Sequence, residues 1–199
     1  MKVLLVGGGG REHALGWKIA RSPTLSKLYL VPGNPGLNHL GENLPLADGD
    51  IEAIADFAAE SKVDLVVVGP EAPLAAGLGD LLRDRGIACF GPDRAAAQLE
   101  ASKSFMKDVS QAAGAPTAAY GQFTKAPPAK EFLRQQTAPY VIKADGLAAG
   151  KGVVIAETLS DADAAVDDML AGQFGAASAS IVIEEFMHGE EASFFAITD

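Results

Sequence analysis

Cysteine is almost absent from this 199-residue chain. Cys89 alone excludes an internal disulfide framework and any thiolate metal cluster built from the chain itself, and it suits a reducing compartment. Basic residues are also scarce: 16 lysines and arginines stand against 26 aspartates and glutamates, a formal net charge of -10. A chain so acidic is repelled by phosphate backbones and anionic lipid surfaces, so neither nucleic acid nor membrane is an expected partner. No apolar run reaches the roughly 18 residues needed to cross a bilayer. Residues 1–7 carry one charge and only four apolar residues after it before glycines begin, too short a run for a secretory signal. The expected location is cytoplasmic. What is plentiful is small and apolar: 48% hydrophobic residues and 22 glycines, enough to bury one or two ordinary cores.

The order of apolar runs and breakers indicates two domains. Residues 2–6 form a continuous apolar run that stops at four glycines, and Ala14, Leu15, Trp17 and Ile19 follow at helical spacing. Further short runs at 28–31, 65–68 and 87–90 alternate with helical stretches at 50–61 and 74–85. Strands this short, without polar alternation, suit a parallel sheet buried on both faces, so the first domain is expected to be doubly wound α/β. After about residue 100 the rhythm changes. Helical patterns at 95–113, 129–136 and 162–170 are interspersed with extended patterns at 117–123, 140–144, 153–156, 181–186 and 192–198, as in an α+β module. The expected domains are 1–100 and 101–199, with 172–180 as a surface loop. The last run reaches Asp199 with neither a closing helix nor a polar tail, as expected of a chain interrupted inside a domain.

Several segments carry chemistry. Glycines 7–10, between a buried strand and a helix, allow backbone N–H groups to approach an anion at the helix N-terminus; they equally suit close packing of strand on helix. The dinucleotide fingerprint fails, because Glu12 or His13 occupies the third glycine position and no acid ends the second strand. Arg11 is placed to clamp a phosphate. Asn34, in Pro32-Gly-Asn-Pro-Gly36, and Glu71, in Gly69-Pro-Glu-Ala-Pro-Leu74, follow other strands at the same sheet end, where α/β sheets bind ligands; a plain turn and a helix-capping acid are the rival readings. Lys143-Ala-Asp-Gly-Leu-Ala-Ala-Gly-Lys-Gly152 is not a Walker A loop: three residues, not four, separate Gly146 from Gly150, and Gly152 stands where Ser or Thr should follow the lysine. A glycine-rich loop between strands, flanked by lysines, can instead fold over a triphosphate. Lys143, in an apolar strand, calls for a neutralising anion. The run from Ile181 ends in the acids Glu184, Glu185, Glu190 and Glu191, which suits either a solvated hairpin or an edge for an adenine ring and a ribose.

Taken in order, the segments beginning at Leu4, Pro32, Val68, Cys89, Ser102, Lys143 and Glu184 closely resemble the phosphoribosylamine–glycine ligase family of ATP-grasp enzymes, over essentially the whole chain. The resemblance implies an α/β, doubly wound N-terminal domain followed by an incomplete α+β ATP-grasp domain, and ATP-dependent ligation of glycine to 5-phosphoribosylamine. It implies that Lys103 and Lys143 meet ATP phosphates and that Gly150, Lys151 and Gly152 form the flap above them. Glu184, Glu185, Phe186 and Met187 would be the adenine edge, and Glu191 the ribose carboxylate. Gly9, Gly10, Arg11, Asn34 and Glu71 would hold the phosphoribosylamine. Family members continue well past Asp199, into the ligands for magnesium (or manganese) and much of the glycine site, so this chain is expected to lack ligase activity by itself. The alternatives are another ATP-grasp carboxylate–amine ligase and a nicotinamide-dependent oxidoreductase.

Overall fold

A computed structural model of the chain describes residues 1–148 and 150–197. The chain forms two compact units, Met1–Ala101 and Ser102–Asp199.

In the first unit, β1 (Lys2–Gly7), β2 (Lys27–Pro32), β3 (Glu42–Asn43), β4 (Leu65–Val68) and β5 (Ala88–Phe90) lie in the order β3-β2-β1-β4-β5, all neighbours parallel. Parallel strands need crossovers, which are supplied by α1 (Gly10–Ile19), α2 (Ile51–Glu60), α3 (Glu71–Ala76) and α4 (Leu78–Asp84), with α5 (Arg94–Ala101) following β5. The unbroken apolar character of β1 now has its cause. Leu4 and Val6 join one core with Val66, Val68, Ile54, Leu78 and Leu82. Val3 and Leu5 join a second core with Leu28, Leu30, Leu37 and Val67. Both faces of the sheet are covered, which is the doubly wound arrangement.

The second unit contains α6 (Lys103–Ala112), β6 (Tyr120–Phe123), α7 (Ala126–Leu133), β7 (Tyr140–Ala144), β8 (Val153–Ala156), α8 (Leu159–Leu170) and β9 (Ile181–Glu184). Its sheet runs β6-β9-β7-β8, every neighbouring pair antiparallel. Here the strands alternate. Ile142, Ile181, Ile183 and Ala156 pack with Ala129, Leu133, Val166 and Met169, so α7 and α8 cover one face. Val141, Lys143, Val182, Glu184, Val153 and Ile155, at the intervening positions, lie on the other.

Four expectations are corrected. The stretch 74–85 is not one helix: it breaks at Gly77, whose φ is 107°. The stretch 95–113 breaks at Ser102, which adopts extended backbone and caps α6 by accepting from the Phe105 amide at 3.1 Å. Residues 192–197 form no strand, and Phe194, Phe195 and Ile197 are almost fully exposed; among the described residues no strand pairs with them, and apolar character without a ladder partner does not make a strand. The rest of that expected strand, Thr198, lies outside the described residues. The segment 172–180 is not simply a surface loop, because it contains a 3-10 turn (Gly175–Ser178), Ser178 is buried, and the carbonyl of Ala177 accepts from Gly146 N at 2.9 Å.

Gly16 is where α1 meets the sheet: a Cβ added there would lie 2.7 Å from Leu37 Cδ2 and 3.2 Å from Leu5 Cδ2. Gly16→Ala should therefore destabilise the unit by about 1–3 kcal/mol through overpacking. Gly10→Ala, with open space around the added carbon, should leave stability unchanged or raise it by up to about 1 kcal/mol. Urea denaturation of the two variants checks the contrast, and equal midpoints would contradict it.

Candidate functional site

The first unit gathers its candidates at the carboxyl ends of β1, β2 and β4. Strand order reverses beside β1, so the crevice between β1 and β4 is a topological switch point. The glycine turn enters α1 there. Asn34 comes from the turn after β2, its Nδ2 donating to the carbonyl of Gly8 at 3.0 Å. Glu71 opens α3 after β4, and its Oε1 accepts from Arg11 Nη1 at 2.8 Å. The structure thus brings Gly9, Gly10, Arg11, Asn34 and Glu71 together. The hydrogen bond from Arg11, stronger than the opposing effect of burial, holds the Glu71 carboxyl below its usual pKa, and the bonds to Glu71 and Glu12 raise that of Arg11.

Glu12, an acid in the first turn of α1, does more than complement the helix dipole. It is 3% exposed, Oε2 accepts from Gly9 N at 2.7 Å and Oε1 from Arg11 Nε at 2.9 Å, so it fixes both the glycine turn and the arginine. Gly69 is required beside it, because any Cβ there would collide with the carboxylate.

In the second unit, Lys143 does lie beside an anion, and that anion is a carboxylate of the protein. Glu184 Oε2 is 2.9 Å from Lys143 Nζ and 3.2 Å from Lys107 Nζ. The register that pairs Val141 with Glu184 and Lys143 with Val182 puts both side chains on the sheet face away from α7 and α8. Lys107 was not singled out in the sequence. It lies between Met106 and Asp108 in α6, is 2% exposed and also donates to Thr117 Oγ1 at 2.7 Å. Its position four residues after Lys103, on the same helical face, is the one available signal. Glu184 Oε1 is buried without a hydrogen-bond partner among the described residues.

Asp145, also unassigned by sequence, ties the start of α6 to the glycine-rich loop. It accepts from Ser104 N and Ser104 Oγ, both at 2.7 Å, from Ser180 Oγ at 2.9 Å and from Ser102 Oγ at 3.2 Å. Lys103 Nζ reaches the carbonyls of Asp145 and Gly146 at 3.4 and 3.3 Å. Gly150, Lys151 and Gly152 precede β8, the carbonyl of Gly152 accepting from Ala144 N at 2.7 Å. Beyond β9, Glu185 and Met187 are exposed and Phe186 half-buried; Glu184, Glu185 and Phe186 line a cavity of about 170 Å³ with Tyr140 and His188. Glu191 is exposed in the irregular segment that follows. Val153 and Ile155 are also exposed, on the face that carries Lys143. An apolar surface beside a cationic end suits a base joined to phosphates. Cys89 is half-buried, and burial pushes its thiol pKa up, away from nucleophilic use.

A doubly wound unit with a ligand cluster at its switch point, followed by an antiparallel sheet with a lysine-flanked glycine loop, defines an ATP-grasp protein. The family models "Phosphoribosylglycinamide synthetase, N domain" and "Phosphoribosylglycinamide synthetase, ATP-grasp (A) domain" match residues 1–100 and 101–199, and the chain belongs to that family. Phosphoribosylamine–glycine ligases of Brucella melitensis and Rhizobium meliloti are 60% and 58% identical over all 199 residues. The chain spans 47% of the length of each. Among solved structures, the Thermotoga maritima phosphoribosylamine–glycine ligase superposes with a TM-score of 0.78 at 29% identity, over 96% of this chain and 45% of that one. An N5-carboxyaminoimidazole ribonucleotide synthetase in complex with ADP has a TM-score of 0.68 at 21% identity, over 94% and 47%, a likeness of fold alone. These matches do not favour the oxidoreductase or the other ATP-grasp ligases.

Burial disfavours the charged form of Asp145, but the bonds from the Ser104 amide and the three serine hydroxyls outweigh it and hold its pKa below the usual value. A depressed folded-state pKa contributes stability above the unfolded value, about 3.9 for aspartate, and that contribution is lost as pH falls through the folded value. Asp145→Asn should therefore cost about 1–3 kcal/mol near neutral pH. In denaturation measured at several pH values, the gap from the parent chain should shrink below about pH 4. A gap that stays constant down to pH 2 would contradict this reading.

Proposed function

We propose that this chain supplies the phosphoribosylamine-binding and nucleotide-binding portions of an enzyme that ligates glycine to 5-phosphoribosylamine. The observation that carries the reading is identity of 54–60% with phosphoribosylamine–glycine ligases across both units. In the reaction, a carboxylate oxygen of glycine attacks the γ-phosphorus of ATP and ADP leaves. The amine of phosphoribosylamine then attacks the carbonyl carbon of the glycyl phosphate, phosphate leaves, and the nitrogen loses a proton to give glycinamide ribonucleotide. No protein nucleophile is needed. The demand is alignment and neutralisation of charge on the transferring phosphoryl group.

Lys103 and Lys143 are the phosphate lysines in this reading, and Gly150, Lys151 and Gly152 the covering flap. Glu184, Glu185, Phe186 and Met187 receive adenine, with the exposed Val153 and Ile155 offering it an apolar surface, and Glu191 receives the ribose hydroxyls. In the first unit the amides of Gly9 and Gly10 and the Arg11 guanidinium hold the 5-phosphate, with Asn34 and Glu71 beside the ribose. Magnesium or manganese, when bound, would supply neutralisation of charge on the ATP phosphates. Among the described residues no group of three or more His, Cys, Asp or Glu side chains stands ready to hold a metal. A small-molecule enzyme of this kind works in the cytoplasm. No described helix is long and apolar enough to cross a membrane.

Fusing these 199 residues to the part of the Brucella melitensis ligase that follows its matching segment should give ADP release that requires both glycine and phosphoribosylamine. Lys143→Ala in that fusion should lower kcat/KM by about 100-fold or more. A soluble, folded fusion without phosphoribosylamine-dependent turnover would defeat the proposal. For the first unit, calorimetric titration should show ribose 5-phosphate binding that weakens at least about tenfold in Arg11→Ala, the loss of a charge-assisted phosphate contact. A response to NAD in place of ribose 5-phosphate would instead revive the oxidoreductase reading.

A further inference from the structure

Two lysines share one carboxylate oxygen in the second unit, and they differ in access. Lys107 is enclosed, its side chain 3% exposed, whereas that of Lys143 is 26% exposed; Glu184 between them is 7% exposed. Only Lys143 can reach a ligand from this cluster. Were Glu184 paired with Lys143 alone, the pair would be neutral and a poor partner for phosphate. With Lys107 also on Oε2, two positive charges face one negative, and the surplus lies at the accessible end.

We propose that Lys107 is a positioning residue for nucleotide binding: by engaging Glu184 from inside the fold, it leaves the positive charge of Lys143 available to the phosphates of ATP. The proposal rests on the reading that Lys143 faces those phosphates. Its geometry is independently specified. Thr117 Oγ1 at 2.7 Å and the Ala118 carbonyl at 3.4 Å hold Lys107 Nζ against the edge of the sheet, and the ring of Tyr120 lies 5.4 Å from the ammonium. Lys107 therefore shares Glu184 from a fixed position without touching the ligand.

Charge counting sets the test. Lys107→Met leaves Glu184 with Lys143 as a neutral pair. Exchanging a buried lysine for an apolar side chain of similar length is compatible with folding when the remaining carboxylate keeps a partner. Titrated into the 199-residue chain, ATP should bind this variant about tenfold more weakly, whereas adenosine, which lacks phosphates, should bind as before. Glu184→Gln removes the negative charge and keeps the shape; because Glu184 also belongs to the adenine edge, its readout is the ratio of ATP to adenosine affinity, which should be at least that of the parent chain. Lys107→Met combined with Glu184→Gln restores the net charge of +1 and should bring the ratio of ATP to adenosine affinity back to within about threefold of the parent value.

Unchanged ATP affinity in Lys107→Met overturns the inference. So does equal loss of ATP and adenosine binding, which marks a merely structural role, or a double variant whose ratio of ATP to adenosine affinity stays as low as that of Lys107→Met. Should Lys107→Met not fold, Glu184→Gln decides: a ratio of ATP to adenosine affinity below that of the parent chain would overturn the inference. A parent chain that binds no ATP removes the nucleotide reading of the site together with this one, and is thereby distinguished from failure of the inference alone.

Discussion

A carboxylate withdrawn from water costs several kcal/mol unless donors and cations surround it, and the functional ends of both units are organised by meeting that demand. In the first, Glu12 is satisfied by the Gly9 amide and the Arg11 guanidinium, so the glycine turn and the arginine are held in fixed relation before any ligand arrives. In the second, Glu184 takes two ammonium groups and Asp145 takes three serine hydroxyls and an amide. Groups suited to an anion are thus preorganised by resident anions. In the proposed reading, an incoming phosphate would meet donors already aimed, with the cost of ordering them met during folding.

The two units reach this result by different backbones. A parallel sheet buried on both faces leaves only the loops at its carboxyl ends for chemistry, so every candidate in the first unit lies in a turn or the first residues of a helix. The antiparallel sheet of the second unit is covered on one face by α7 and α8, and its other face carries lysine, a buried glutamate, the buried Val141 and Val182 and the exposed Val153 and Ile155.

Much of this was legible in the sequence because it is local. Short apolar runs ended by glycine gave the parallel strands, and the lysine within the run Tyr140–Ala144 announced an anion. What escaped was set from a distance. The helix break at Ser102 is reinforced by Asp145, 43 residues away. Lys107 reads as a surface residue until Glu184 is folded against it, 77 positions later in the chain. Glu12 reads as an ordinary first-turn acid because nothing nearby in sequence shows that Gly69 will close over it. Periodicity reports which face an element buries, and it is silent on which particular group waits there.

Strand order also dictates the sequence in which each sheet can be assembled as the chain is synthesised. In the first unit the central strand, β1, is made first and waits for β2 on one side and, 62 residues after Val3, for Leu65 of β4 on the other. In the second unit the order is inverted: β9, made after β6 and the other described strands, must enter between β6 and β7. Until it does, the edges of β6 and β7 that will receive it have no ladder partner, and open edges of this kind invite pairing with other chains. The second unit is therefore the one whose nascent form has most need of protection, and the interval of risk closes only when Ile181–Glu184 takes its place in the middle of the sheet.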